Sequence, residues 1–126
     1  MISLKKTLLI IADKINIPIE EATVGSWTYK KYKDGKLEMW YSKDEDSWSV
    51  ISSPWNNMWT SYADYDFPIP FISPPFAIAS IFNVASGISA GVTAKTSKTG
   101  IHLRSLGSQQ AGNAHNINIY VIGKWK

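Results

Sequence analysis

Hydrophobic positions along this chain change their period once. Leu4, Leu8, Ile11 and Ile15 recur at the 4, 3, 4 spacing of a narrow helical seam. Ser3 stands where an N-cap belongs, and Pro18 ends the pattern, because proline lacks the N–H that a helix interior needs. The spacing predicts a helix within residues 1–17 and a linker over 18–25. A helix this short is marginal in water, so it packs either on its own domain or on copies of itself. Leu and Ile at both seam positions favour more than two strands, which makes the segment a candidate trimerisation element.

From residue 26 the apolar period is two, as in strands. In SWTYKKYKDGKLEMWYS, residues 26–42, Asp34-Gly35 fits a two-residue hairpin loop, since a type I′ turn needs positive φ at both central positions. That turn predicts the pairs Tyr32 with Leu37, Lys31 with Glu38, Lys30 with Met39 and Tyr29 with Trp40. Trp27, Tyr29 and Trp40 then share one face, and Tyr32, Leu37, Met39 and Tyr41 the other. Both faces are apolar, so one needs the chain's own core and the other a neighbouring copy. The expected assembly is a homotrimer, with Leu4, Leu8, Ile11, Ile15, Trp27, Tyr29 and Trp40 as the candidate interface.

Residues 43–66 read as an acidic turn, a short strand from about Trp48 to Ile51, and a stretch in which Trp55, Trp59, Tyr62 and Tyr65 recur without clean alternation. In FPIPFISPPFAIASIFNVAS, Pro68, Pro70, Pro74 and Pro75 forbid helix and leave an edge strand or extended arm. Phe76 to Val84 then reads as a strand. Further strands are expected around Ile88 to Lys95, Gly100 to Leu106 and Asn116 to Trp125, divided by turn-rich TSKTG and GSQQAGNAHN. On the last of them Ile117, Ile119, Val121 and Trp125 share a face. The predicted fold is all-β, an antiparallel β-sandwich of jelly-roll-like form over residues 26–126 behind one short N-terminal α-helix.

The 126 residues suit one domain, and 44% hydrophobic with 13% aromatic content excludes a disordered chain. The net charge of +3 comes with a single arginine, Arg104, so bidentate contacts to phosphate or guanine are scarce and no nucleic-acid partner is expected. The chain has no cysteine, which removes disulfides and thiolate metal sites. His102 and His115 sit in different segments with no converging ligands, so no metal and no cofactor are expected. Asp44, Glu45 and Asp46 open like a calcium loop but lack its glycine and closing glutamate, leaving a solvated turn. The Thr7–Ala12 apolar run meets Asp13 and Lys14 too early for a signal peptide. No segment approaches the roughly 20 apolar residues of a membrane span, so neither secretion nor membrane insertion is expected.

The most chemically suggestive stretch is 55–65. Rings stack on the flat C–H faces of sugars while amides and carboxylates bond their hydroxyls, so Trp55, Asn57, Trp59, Tyr62, Asp64 and Tyr65 are the candidate saccharide residues. The alternative is that these rings fill space between sheets or subunits. Asp64 and Asp66 belong to no glycosidase motif, and no catalytic residue is assigned.

The ordered set GSWTYKKYKDGKLEMWYS, FPIPFISPPFAIAS and closing INIYVIGKWK resembles the C-terminal knob domains of tail fibre and minor tail structural proteins of phages and prophages. The resemblance covers about residues 25–126. It departs where the family often has Cys and Gly beside its Trp and this chain has Met39, Trp40, Tyr41 and Ser42. It implies a non-enzymatic β-sandwich knob at a fibre tip, usually trimeric, with other tail proteins as partners and a host cell-surface polysaccharide as target. The place it implies is the virion tail, or the bacterial cytoplasm before assembly. A different class, a monomeric carbohydrate-binding module of a secreted or cell-wall protein, stays open beside it.

Overall fold

The computed structural model describes residues 3–6, 17–51, 59–81, 83–84, 89–107 and 113–126. Among them the chain forms β1 (Glu20–Val24), β2 (Trp27–Lys31), β3 (Lys36–Ser47), β4 (Ser49–Val50), β5 (Trp59–Asp66), β6 (Phe76–Ser80), β7 (Asn83–Val84), β8 (Ser89–Thr96), β9 (Gly100–Gly107) and β10 (Asn113–Lys124). They build two antiparallel sheets, ordered β1-β2-β3-β10-β6 with β7 also on β10, and β4-β5-β9-β8. The fold is an antiparallel β-sandwich.

Its spine is the pair of 12-residue strands β3 and β10, in register from Lys36↔Lys124 to Ser47↔Asn113. Alternation turns Leu37, Met39, Ile117 and Val121 inward from this sheet, where they meet Leu103 of β9, all with no exposed surface. A run of rings crosses the interior. Tyr65 lies 4.8 Å from Tyr41, Tyr41 5.1 Å from Trp27, Trp27 5.6 Å from Phe67 and Phe67 5.2 Å from Phe71, between ring centroids. The tilted and edge-on angles of these pairs are those that aromatic quadrupoles prefer.

The β2–β3 turn differs from expectation by one residue. Tyr32 N–H donates to Lys36 C=O and Gly35 N–H to Tyr32 C=O, so the loop holds Lys33, Asp34 and Gly35, with Gly35 at φ 103. This is the three-residue hairpin in which a left-handed glycine closes a bulge. Lys30 consequently pairs with Glu38, Tyr29 with Met39 and Lys31 with Leu37. A one-residue slip exchanges the faces: Trp27 and Tyr29 join Leu37, Met39 and Tyr41 inside, and Trp40 stands on the opposite side from them.

Two further stretches are more ordered than their composition indicates. Residues 20–24, expected in a linker, form edge strand β1, joined to β2 by Gly25-Ser26 with Gly25 at φ 61. Glu20 and Glu21 lie 3.6 and 3.8 Å from Lys31 and Lys30. The acidic run 44–46 is not a turn but part of β3: Asp44 and Glu45 are exposed, Glu45 and Asp46 pair with His115 and Ala114 of β10, and the Asp46 carboxylate is held by the Tyr65 hydroxyl and Lys43.

At the N-terminus, Leu4–Lys6 is helical and Lys6 N–H donates to Ser3 Oγ at 3.3 Å, the N-cap bond expected of Ser3. Leu4 is 77% exposed. Leu8, Ile11 and Ile15 lie outside the described residues. The proline-rich arm carries the chain from β5 to β6, burying Phe67 and Phe71. A Cβ on Gly123 of the GKWK terminus would come within 2.8 Å of the Phe71 ring and 2.9 Å of Pro75. Trp125 then seals the hairpin turn, its backbone N–H donating to Gly35 C=O and its indole N–H to Tyr32 C=O.

Candidate functional site

The outer faces of the two sheets lie apart from the buried cluster, and their chemistry differs. On the first sheet the register aligns Thr28, Trp40, Tyr120 and Ile78 in one row and Lys30, Glu38, Ile122 and Phe76 in the next. Phe76 is 66% and Ile78 56% exposed, on edge strand β6. Trp40 and Tyr120 contact each other at 5.6 Å between centroids. Between Trp40, Tyr120 and Ile78 runs an open groove of about 330 Å³, bordered by Ser42, Asn118 and Ser80. Ser42 Oγ donates to Asn118 Oδ1 at 3.1 Å, and the Asn118 amide donates to Asn116 C=O at 3.1 Å.

Asn116 explains how that border is held. It has φ 50, the only left-handed non-glycine among the described residues. The β3–β10 ladder skips Asn116 and keeps its register on either side. Ala114 and Ile117, three apart, are both fully buried, which strict alternation forbids. The left-handed residue thus resets which side chains face inward.

Glu38 anchors the polar edge of the same face. The Tyr120 hydroxyl donates to it at 2.6 Å and Lys36 stands 3.5 Å away. Burial raises the Glu38 carboxyl, but the bonds from Tyr120 and Tyr32 and the Lys36 charge together bring it below the ordinary value. The bond to Glu38, with burial behind it, pushes the Tyr120 phenol up to about 12.

The second sheet is polar outside. Its ladder aligns Tyr62, Arg104 and Thr93 in one row and Asp64, His102 and Lys95 in the next. His102 Nδ1 is 2.7 Å from Asp64 Oδ1. The Tyr62 and His102 rings lie 5.6 Å apart and 30° from parallel. A shallow polar depression of about 360 Å³ opens beside Asp64, Lys95 and His102.

The residues singled out by sequence therefore separate. Tyr62 and Asp64 reach the outer face of the second sheet together. Tyr65 does not: its ring packs on Tyr41 in the core, and its hydroxyl accepts from the Trp48 indole and donates to Asp46, both at 2.9 Å. Burial, then the bond to Asp46, raises its phenol well above the ordinary range. Trp59 is half-buried at the start of β5, and Trp55 and Asn57 lie outside the described residues. Of the hairpin rings assigned to an interface, Trp27 is 6% exposed inside its own chain and Tyr29 packs on the same core, while Trp40 is outward. Sequence reasoning missed Tyr120, Ile78 and Phe76 on one face and His102, Arg104 and Lys95 on the other. The signal that finds them is strand register, which no local pattern contains. No cluster of three metal-capable side chains occurs among the described residues, and no described helix is long and apolar enough to cross a membrane.

No protein-family model matches the chain, and no curated protein does. Among solved structures, an N-truncated R1-type pyocin tail fibre is similar over 98% of this chain and 98% of that chain, with 15% identity and a TM-score of 0.49. A likeness that distant assigns neither family nor function.

Proposed function

We propose that the chain is a non-enzymatic knob of a phage-tail-like fibre. It acts as a homotrimer whose subunits meet through the outer face of the first sheet, in company with other tail proteins. The observation that carries this reading is the apolar cluster of Trp40, Tyr120 and Ile78 in one row with Phe76 beside them in the next. It lies on the outer face, apart from the buried cluster that forms the core, and contiguous apolar surface of this kind marks association. A second copy is the occupant that fits best, since Leu4 also stands clear of its own sandwich and the seam it opens favours assemblies larger than dimers. The motif order across residues 25–126 supports the tail setting.

Light scattering on the full chain tests it. The expected mass is that of three chains over a wide concentration range. Phe76→Glu with Ile78→Glu reduces it to one chain with an unchanged circular dichroism spectrum. A monomeric parent chain overturns the proposal. The second reading, a monomeric carbohydrate-binding module, is favoured by Tyr62 and Asp64 meeting His102 on the other face; a monomer with sugar-dependent binding there supports it instead.

A further inference from the structure

The outer face of the second sheet bears the chain's single arginine in an arrangement that the fibre reading does not use. We infer that Arg104, Lys95, His102 and Tyr62 form a binding tile for an acidic sugar, a pyranose bearing a carboxylate, with Asp64 orienting His102. This deepens the attachment part of the fibre reading and rests on it only for the ligand's source, a cell-surface glycan. The chemistry of the tile stands by itself.

The tile follows from register. Tyr62↔Arg104↔Thr93 and Asp64↔His102↔Lys95 are adjacent rows on one face of β5, β9 and β8. Side chains opposite one another are about 5 Å apart, and those two along a strand about 7 Å, so the patch has the footprint of one sugar ring. Arg104 and Lys95 are exposed, and neither guanidinium nor ammonium has an ion-pair partner among the described residues. A guanidinium presents a rigid fork of donors that matches a carboxylate in two parallel bonds. Lys95, one strand over, adds a point charge on the same side.

His102 is held for a ligand. Asp64 Oδ1 sits 2.7 Å from Nδ1, and a carboxylate only accepts, so the proton lies on Nδ1 and Nε2 is left for a hydroxyl. The Tyr62 ring, 30° from parallel to the imidazole, extends a flat surface for the C–H face of a pyranose. Asp64 is 70% exposed, so its second oxygen remains for a sugar hydroxyl on the side away from Lys95. The depression beyond, with Ser97 and Thr99 on its wall, has room of about 360 Å³ for the next unit of a chain. A polyphosphate fits poorly, since Asp64 repels it and one arginine cannot track a backbone.

The test is a titration of the isotope-labelled full chain with glucuronate, glucose and inorganic phosphate, followed by amide shifts. Glucuronate is expected to produce saturable shifts in β5, β8 and β9, with affinity at least about tenfold above that of glucose and of phosphate, as a charge-assisted pair supplies. Arg104→Ala is expected to lose at least about tenfold of that affinity with the spectrum otherwise unchanged. Lys95→Gln gives a second loss, independent of whether the arginine variant folds. Equal binding of glucose and glucuronate, phosphate binding as tightly as glucuronate, shifts elsewhere, or indifference to both substitutions overturns the site. A trimer that ignores glucuronate removes the site alone; a monomer that binds it removes the fibre reading alone.

Discussion

At the scale of single residues, Tyr65 shows how a side chain suited to sugar stacking becomes structural. Its hydroxyl joins Trp48 to Asp46, and Lys43 stands 3.2 Å from the same carboxylate. Burial raises the Asp46 carboxyl, but the Tyr65 and Lys43 contacts and the Ser47 N–H outweigh it and hold the group below its ordinary 3.8. Tyr65→Phe leaves the Trp48 indole and Asp46 each short of a partner and is expected to cost about 1–3 kcal/mol near neutral pH. The pH dependence has a definite sign. A depressed carboxyl favours the fold above its unfolded value and loses that contribution as pH falls through the folded one. A raised phenol favours the fold below about pH 10 and loses its contribution above. The gap between parent and Tyr65→Phe is therefore widest near neutrality, narrowing below about pH 4 and above about pH 10. Urea unfolding across that range measures it, and a gap that does not change with pH refutes the coupling.

Among the elements, β10 ties the sandwich together and contains its one unusual residue. The left-handed Asn116 lets Ala114 and Ile117 both enter the core and turns its carbonyl toward the Asn118 amide. Asn116→Gly is expected to leave stability within about 1 kcal/mol, because glycine adopts positive φ freely though it adds backbone entropy. Asn116→Val is expected to cost about 2 kcal/mol, since a β-branched side chain crowds its own carbonyl there. Equal losses for both, in chemical denaturation, would place the cause elsewhere. The same strand shows what the sequence makes legible. Ile117, Ile119 and Val121 announce their shared face by alternation alone, and all reach the core. The strand positions from 76 onward are readable for the same reason. The β2–β3 register is not, because Asp-Gly suits both a two-residue and a three-residue loop, and the contacts that close the observed one, from Trp125 to Gly35 and Tyr32, come from the far end of the chain. That one residue moved Trp27 and Tyr29 inside, away from Trp40. The outer-face clusters were invisible for a deeper reason: Tyr62 and His102, or Trp40 and Tyr120, are far apart in the chain and meet only through the ladder.

Over the whole molecule, the two proposals fall on opposite outer faces, self-association on the apolar one and ligand binding on the charged one, with the core between them. This division predicts how stability depends on concentration. If three copies share the apolar face, folding and association are linked by mass action, and the thermal midpoint rises with chain concentration. Removing the Phe76 and Ile78 contacts by substitution with Glu abolishes that dependence and lowers the midpoint to a constant value. The core is untouched by these changes, because both side chains point away from it. The proposed glucuronate site lies on the opposite face, so the sugar acid is expected to raise the midpoint of parent and Glu variant alike. The increment follows the ratio of ligand concentration to dissociation constant. A midpoint independent of chain concentration would mean that Phe76 and Ile78 are exposed in a lone subunit. Stabilisation by glucuronate restricted to the associated form would mean that the two faces are not independent. Calorimetry of the parent chain and the double variant, each at several concentrations with and without the sugar acid, separates these outcomes in one set of measurements.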